Sequence, residues 1–515
     1  MSSTSQTKSS KLKTVSLIGT PIICLLIILF ADLEQGKPEI TYTFAIALLM
    51  AVWWVTEALP LAVTALLPVI LFPLFGIVDG KTVSVAYFNH LIFLFIGGFL
   101  MALAMEKWNL HKRIAIKILI AVGVSPGRIL LGFMFASTFL SMWISNTATT
   151  MMMIPIVLSI IYKLEESIGK TEVRKYSIGL LLGIAYAATI GGIATLVGTF
   201  PNLAFARIFS IMFPSAPEIS FTSWFAFALP VTVFMFIFAW ILIYFIHKPT
   251  NHWPVLSQDT FRKEYKELGK ASFEEKIVFI HFITLALLWI FRNNIIIGEF
   301  FIPGWSSLFG NPKFINDGTV AIAISVILFA IPSRSLKGTT IMDWETAKRL
   351  PWNIILLFGG GFALAEGFVE SGLSLWFGEQ LKGLSAVHPF PVILVIVTMM
   401  SFLTELTSNT ATTQMLLPIF AGLSVIGEVN PLLFMIPTTL AASLAFMLPV
   451  ATPPNIIVFG TDRIRIIDMV KTGFLLNTVG IIVVTLITYF WGIYIFDIDI
   501  SVFPEWGSVA GVVGK

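Results

Sequence analysis

Long apolar runs separated by short polar loops follow one another along the whole chain. A helix needs about 20 apolar residues to cross a bilayer, and the runs predict about eleven such helices. They begin near positions 15, 42, 61, 90, 177, 222, 277, 318, 353, 433 and 473. The pattern therefore predicts an all-α polytopic membrane protein.

Two apolar segments, 129–160 and 391–422, do not fit as simple spans. Each is too long for one crossing and too short for two, and each carries polar residues at its middle. Irregular backbone at membrane depth is tolerated only where it is buried in protein or lines a cavity. Both segments are therefore predicted to be re-entrant helical hairpins with their tips near the midplane.

The loop charges orient the chain. Cytoplasmic loops of membrane proteins are enriched in Lys and Arg. These residues concentrate at 107–128, 163–175, 248–276, 334–349 and 463–471. The distribution predicts a multi-pass protein of the cell membrane with a cytoplasmic N-terminus and an extracytoplasmic C-terminus. The first hairpin then enters from the cytoplasm and the second from outside.

Composition excludes several other classes of protein. Hydrophobic residues make up 57% of the chain and charged residues 12%, against roughly 25% charged in soluble domains. The single cysteine, Cys24, excludes an internal disulfide framework. We find no HExxH or Walker motif, no nucleophile–base pair and no basic tract with interleaved aromatics. Neither an enzyme nor a nucleic-acid-binding protein is expected.

The chain carries an internal duplication. The hexapeptide at 145–150, Ser-Asn-Thr-Ala-Thr-Thr, recurs identically at 408–413, 263 positions later. Gly97-Gly98-Phe99 recurs at the same offset as Gly360-Gly361-Phe362. After each hexapeptide comes a second motif, Gly198-Thr199-Phe200-Pro201-Asn202 and Ala451-Thr452-Pro453-Pro454-Asn455. Proline lacks an N–H and obstructs the preceding turn, so each of these motifs should interrupt a helix.

Two hairpins entering from opposite faces, each paired with a broken helix, are typical of secondary transporters with inverted repeats. An isolated Ser-Asn-Thr also forms hydrogen bonds that hold membrane helices together, but its duplication favours transport. Half-helix N-termini with hydroxyl and amide donors suit a carboxylate, and two half-sites suit a ligand with two anionic ends. Exposed carbonyl and hydroxyl oxygens suit sodium.

These motifs resemble the divalent-anion:sodium symporters, the INDY-type dicarboxylate transporters, over roughly residues 45 to 490. The matching segments are SMWISNTAT (141–149), GGIATLVGT (191–199), TELTSNTAT (404–412) and AFMLPVATPPN (445–455). The resemblance implies a homodimer in the lipid membrane, with each protomer divided into scaffold and transport domains. An elevator movement would carry the site across the bilayer.

The resemblance also implies site residues. The implied dicarboxylate ligands are Ser145, Asn146, Thr147, Ser408, Asn409, Thr410 and Thr452, with Thr199 and Pro453 beside them. A first sodium site would use Ser141, Ser145, Asn146 and Gly198. A second would use Thr404, Thr407, Asn409 and Ala451. No other cofactor is expected.

The predicted division of the chain follows the repeats. It consists of a cytoplasmic tail (1–14), scaffold helices with a surface helix (15–128), the first hairpin and broken helix of the transport domain (129–212), scaffold helices with a cytoplasmic loop (213–350), a helix with an outer loop (351–390), the second hairpin and broken helix of the transport domain (391–472), and a last helix with an extracytoplasmic tail (473–515). Within 15–128, segment 111–122 reads as an amphipathic surface helix.

The expected function is secondary active transport of C4–C5 dicarboxylates such as succinate, malate, fumarate and 2-oxoglutarate. Both sodium symport and dicarboxylate exchange fit the motifs. Phe200 stands where many family members have proline, and Thr407 where a small residue is common. Transport of another small anion, citrate or sulfate, and an anion channel are the alternatives.

One acidic residue within the apolar sequence stands out. Glu405 lies three residues before the second Ser-Asn-Thr, and its counterpart in the first repeat is Met142. An intramembrane carboxylate is a functional candidate by default. Glu405 is therefore expected either to act directly on an ion or proton, or to make a structural hydrogen bond within its hairpin.

Overall fold

Helices dominate the computed structural model, which describes residues 3–249, 259–297, 300–384 and 387–507. The end of the predicted 473–515 segment, and parts of the 213–350 and 351–390 segments, lie outside the described residues. Each of the eleven predicted span starts falls within a helix. The prediction of an all-α polytopic membrane protein is confirmed.

In the first half of the chain, the described residues form twelve α-helices. They are α1 (Ser3–Phe30), α2 (Pro38–Thr56), α3 (Leu61–Thr64), α4 (Leu67–Leu74), α5 (Gly80–Tyr87), α6 (His90–Lys107), α7 (Leu110–Val122), α8 (Pro126–Ser141), α9 (Asn146–Ile168), α10 (Lys170–Ile193), α11 (Phe200–Met212) and α12 (Phe221–His247). Helix α1 begins well before the predicted start near 15, because no glycine or proline interrupts the chain between Ser3 and Ile18.

Where the structure describes the second half of the chain, it has twelve α-helices and one small antiparallel β-hairpin. They are α13 (Asp259–Glu267), α14 (Phe273–Ile290), β1 (Ile295–Ile297), β2 (Phe300–Ile302), α15 (Asp317–Ala330), α16 (Trp344–Ala347), α17 (Trp352–Ser371), α18 (Leu373–Gln380), α19 (Pro389–Leu403), α20 (Asn409–Ile426), α21 (Leu432–Ala441), α22 (Pro453–Phe459), α23 (Ile466–Ile487) and α24 (Ile493–Ile495). In the hairpin, Ile295 pairs with Ile302.

Eight helical segments within the described residues are long and apolar enough to cross a membrane, and five shorter apolar helices accompany them. The two predicted hairpins are α8–α9 and α19–α20, each broken immediately before its duplicated Asn. The two predicted helix interruptions are the gaps between α10 and α11 and between α21 and α22. Helix α10 packs against α8, α9 and α12, and its apolar stretch is wholly buried.

The basic loops that were predicted to share one side of the membrane contact one another. Lys107, at the end of α6, donates to Asp343 at 2.8 Å, and Arg463 pairs with Glu165. The Lys107 ammonium lowers the pKa of Asp343 to about 2. These contacts place the loops on the same face, as the charge distribution requires.

Helix α7 matches the predicted surface helix in extent, but its polar face differs from the expectation. Arg113 is buried and pairs with Glu275 at 2.6 Å, and its other nitrogens donate to the carbonyls of Leu268 and Gly269. The guanidinium is buried because these acceptors together replace water. This contact ties α7 to the start of α14.

Close packing between α6 and the middle of α15 requires glycine at position 97. A Cβ at Gly97 would lie 2.5 Å from Ala321 Cβ and 2.6 Å from the Ala321 carbonyl carbon. At the adjacent Gly98, the nearest atom would be Val197 Cγ1 at 3.5 Å, an ordinary contact. The two neighbouring glycines therefore differ sharply in how much side chain they tolerate.

We expect Gly97→Ala to lower stability by about 1–3 kcal/mol, because the added methyl overpacks two helices that cannot separate freely. Gly98→Ala should leave stability almost unchanged and serves as the matched control. Thermal unfolding of the two purified variants in detergent measures the difference. Equal unfolding midpoints would contradict this view of the α6–α15 contact.

Candidate functional site

The N-terminal ends of α9, α11, α20 and α22 meet at one cavity of about 380 Å³. Both hexapeptide tips and both helix interruptions line it, so the duplicated motifs come together although 263 positions separate them. The residues predicted to bind substrate all line this cavity: Ser145, Asn146, Thr147, Thr199, Ser408, Asn409, Thr410, Thr452 and Pro453.

The serine of each hexapeptide starts the second helix of its hairpin. Ser145 Oγ accepts from the Ala148 N–H at 3.2 Å, and Ser408 Oγ accepts from the Ala411 N–H at 3.5 Å. This is the usual N-cap arrangement, in which a hydroxyl satisfies one of the free amides of the first turn. The caps place Asn146 and Asn409 as the first residue of α9 and α20, beside the cavity.

Two asparagines that the sequence analysis assigned no role hold the broken helices open. Asn202 Nδ2 donates to the carbonyls of Gly192, Ile193 and Thr195, the last at 2.8 Å. Asn455 Nδ2 makes the corresponding contacts with the second break. Its acceptors are the carbonyls of Ala445 and Leu448. The sequence contains a pattern that could have predicted these roles, since each of the two interruption motifs ends in Asn.

Oxygen atoms converge where the first sodium site was predicted. A Cβ on Gly198 would lie 2.6 Å from the Gly192 carbonyl oxygen and 3.0 Å from that of Ser141. A Cβ on Gly192 would lie 2.4 Å from Asn146 Oδ1. Only glycine fits at these two positions, and the surrounding oxygens are hard ligands of the kind that suits sodium.

The Ser141 hydroxyl donates to Asn146 Oδ1 at 2.5 Å. Thr195, which carried no predicted role, donates to the Met142 carbonyl at 2.5 Å and accepts from the Gly198 N–H at 3.0 Å. The hydroxyl of Thr195 therefore connects the first hairpin tip to the first interruption.

The second predicted sodium site is arranged differently. Thr407 Oγ1 is engaged with the Leu403 carbonyl at 2.8 Å and the Thr412 hydroxyl at 2.7 Å. Thr404 is fully buried behind the cavity, and Ala451 lines it. Asn409 Oδ1 is buried and has no hydrogen-bond partner among the described residues, unlike Asn146 Oδ1 in the first repeat.

The cavity contains unsatisfied polar groups but little charge. Thr452 Oγ1 is buried without a partner among the described residues, as is Asn409 Oδ1. Among the lining residues that the structure describes, Glu57 alone is ionisable, and it sits at the rim paired with Lys13 at 3.4 Å. An anion in this cavity would be held by hydroxyls, amides and helix N-termini.

Phe200, the residue that departs from the family pattern, belongs to an aromatic cluster. It lines the cavity and contacts Phe95 and Phe99 of α6 and Phe358 of α17. Its ring centroid lies 6.3 Å from that of Phe99 in a stacked arrangement. We call these four rings the Phe200 cluster; it forms an apolar wall beside the first interruption.

Glu405 does not line the cavity, and its hydrogen bonds are structural but reach outside its own hairpin, contrary to the expectation of a bond within it. The residue is 2% exposed, and its carboxylate accepts from the backbone N–H groups of Met447 and Leu448, both at 2.9 Å. Asn477 Nδ2 donates to it at 2.8 Å. The carboxylate thus joins the second hairpin to the interruption between α21 and α22 and to α23.

Comparisons with known proteins agree with this architecture. The family model described as the sodium:sulfate symporter transmembrane region matches residues 11–498. The sodium-dependent dicarboxylate transporter SdcS of Staphylococcus saprophyticus is 45% identical over 493 residues, covering 95% of this chain and 93% of that protein. SdcS of Staphylococcus aureus strain RF122 / ET3-1 is 43% identical over 494 residues, covering 95% and 92%.

Among solved structures, the YdaH transporter of Alcanivorax borkumensis has a related fold. The TM-score is 0.54 at 13% identity, over 81% of this chain and 90% of that one. At this identity the likeness concerns the fold alone. The match over nearly the whole chain and the relatives above 40% identity show that the protein belongs to the sodium:sulfate symporter family, whose members are transporters and not enzymes.

Proposed function

We propose that the protein is a secondary active transporter that carries C4–C5 dicarboxylates such as succinate, malate, fumarate and 2-oxoglutarate by symport with sodium. The observation that carries the proposal is the single cavity into which both hexapeptide tips and both interrupted helices open. Two related half-sites facing one another suit a ligand with an anionic group at each end.

The chemistry of the cavity fits carboxylates. Asn146 and Asn409 offer amide donors, and the hydroxyls of Thr147, Thr410 and Thr452 stand beside helix N-termini. Each N-terminus carries a partial positive charge, which favours an anion without the desolvation cost of a buried Lys or Arg.

Sodium coupling is favoured over exchange by the relatives, since proteins 43–45% identical to this chain are named sodium-dependent dicarboxylate transporters. The converging oxygens at Gly198 and the unpaired Asn409 Oδ1 support the same assignment. These names also favour a dicarboxylate over citrate or sulfate as the substrate.

For the movement, we propose an elevator in a homodimer. The hairpins α8–α9 and α19–α20 with their broken helices form the moving transport domain, and the remaining helices form the scaffold. The cavity rim includes Glu57, which pairs with Lys13 near the predicted cytoplasmic end of α1. On this orientation, the structure represents an inward-facing state.

Uptake of labelled succinate into proteoliposomes tests the coupling. We expect accumulation in empty vesicles under an inward sodium gradient, because the oxygen-lined sites bind sodium together with substrate. A potassium gradient of the same size is the control. Uptake confined to vesicles preloaded with dicarboxylate, and indifferent to sodium, would show an exchanger and contradict symport.

Asn146→Ala and Asn409→Ala should each abolish uptake while the protein still folds, because a buried donor and a sodium ligand are lost together. The comparison is Asn316→Ala, which removes the cap of α15 and should cost about 1 kcal/mol of stability. That variant should transport normally. Normal uptake by both Asn146→Ala and Asn409→Ala would contradict the assignment of these two residues to the substrate and sodium sites.

Thr452→Ala should weaken succinate affinity by about tenfold, since one hydroxyl contact of this kind is worth roughly 1–2 kcal/mol. Its hydroxyl has no other partner among the described residues, so folding should be little affected. Thr478→Ala, on the exposed face of α23, is the control. Affinity is measured as the succinate concentration that gives half-maximal uptake, and an unchanged value would exclude Thr452 from the site.

A further inference from the structure

Glu405 introduces an electrostatic difference between the two repeats. The donors to its carboxylate include the N–H groups of Met447 and Leu448 and the amide of Asn477. An ionised carboxylate only accepts hydrogen bonds and can use all three of these donors. Within the described residues, no Lys, Arg or His forms an ion pair with it, although it is almost completely buried.

A buried negative charge without a basic partner attracts cations strongly, because little solvent screens it. The predicted second sodium site begins at the adjacent residue, Thr404. The loop that Glu405 holds continues from Leu448 through one 3-10 turn to Ala451, another predicted ligand of that site. Glu405 therefore adjoins predicted ligands of the second site through the chain and through the loop it binds, and it does not line the cavity.

The first repeat lacks this charge. Met142 occupies the equivalent position, and the hydroxyl of Thr195 contacts its backbone. The amide oxygen of the hexapeptide asparagine is also freer to bind a cation in the second repeat than in the first. Asn146 Oδ1 already accepts from Ser141, whereas Asn409 Oδ1 has no partner among the described residues. Both differences favour tighter cation binding in the second repeat.

We propose that Glu405 is a positioning and charge-supplying residue that makes the second sodium site the tighter of two unequal sites. The inference rests on the proposed sodium coupling. Glu405 does not contact sodium or substrate; it holds the interruption before α22 in place and supplies a fixed negative charge behind the ligands. Sodium would then bind first at the second repeat and later at the first.

The test uses sodium-dependent thermal stabilisation of the purified full-length protein without dicarboxylate, with potassium chloride holding ionic strength constant. Glu405→Gln keeps the size of the side chain and removes its charge. We expect the sodium concentration for half-maximal stabilisation to rise on the order of tenfold. Asn477→Ala removes its donation to Glu405 and its acceptance from the Phe446 N–H but keeps the charge, and Glu405→Asp keeps the charge as well. Both variants should stay near the wild-type sodium concentration.

The results distinguish an effect of the Glu405 charge from a purely structural effect of the side chain, and both from an absence of sodium coupling. An unchanged sodium midpoint in Glu405→Gln, or an equal shift in Asn477→Ala, would overturn the proposal by showing that the carboxylate acts only on structure. Absence of sodium stabilisation in the wild-type protein would instead overturn the sodium coupling of the proposed function, and the inference with it.

A second measurement does not depend on Glu405 variants folding. Equilibrium binding of radioactive sodium to the wild-type protein should show a tighter and a weaker class of site. Asn146→Ala should remove the weaker class and Asn409→Ala the tighter class. The reverse assignment, or two sites of equal affinity, would contradict the proposal.

Discussion

The structure depends on satisfying backbone groups at the two places where a membrane-embedded helix is interrupted. Water is scarce at that depth, so each freed carbonyl needs a protein donor. Asn202 and Asn455 supply these donors, each from the first turn of the helix that follows the break. Because these carbonyls have donors, the backbone stays non-helical at each interruption. The N-termini of α11 and α22 then face the hairpin tips across a cavity.

The two repeats share this construction but are not equivalent in chemistry. Pro453 has no N–H at the start of α22, whereas Phe200 at the start of α11 retains one. A carboxylate stands behind the second hairpin tip, and a methionine stands behind the first. An inverted repeat thus provides a nearly symmetric frame, within which single substitutions give each half of the cavity its own affinity for ions and anions.

Much of this arrangement follows from sequence alone. The identical hexapeptides predicted both hairpins, and every predicted span start falls within a helix, because membrane depth restricts length and polarity so strongly. The burial of Arg113 could not be predicted, since its acceptors include the carbonyls of Leu268 and Gly269, far away in the chain. The roles of Asn202 and Thr195 likewise depend on which carbonyls the fold brings near them.

The Phe200 cluster has a consequence for how transport responds to cooling. In the proposed movement, Phe200 travels with the transport domain, while Phe95, Phe99 and Phe358 stay with the scaffold. Each turnover must then separate and rejoin three ring contacts, one stacked, one tilted and one edge-to-face, whose dispersion energy is enthalpic. A chain with proline at this position has no such ring to detach. Phe200 would thus give the carrier a steep activation enthalpy, so that its turnover falls quickly as temperature drops.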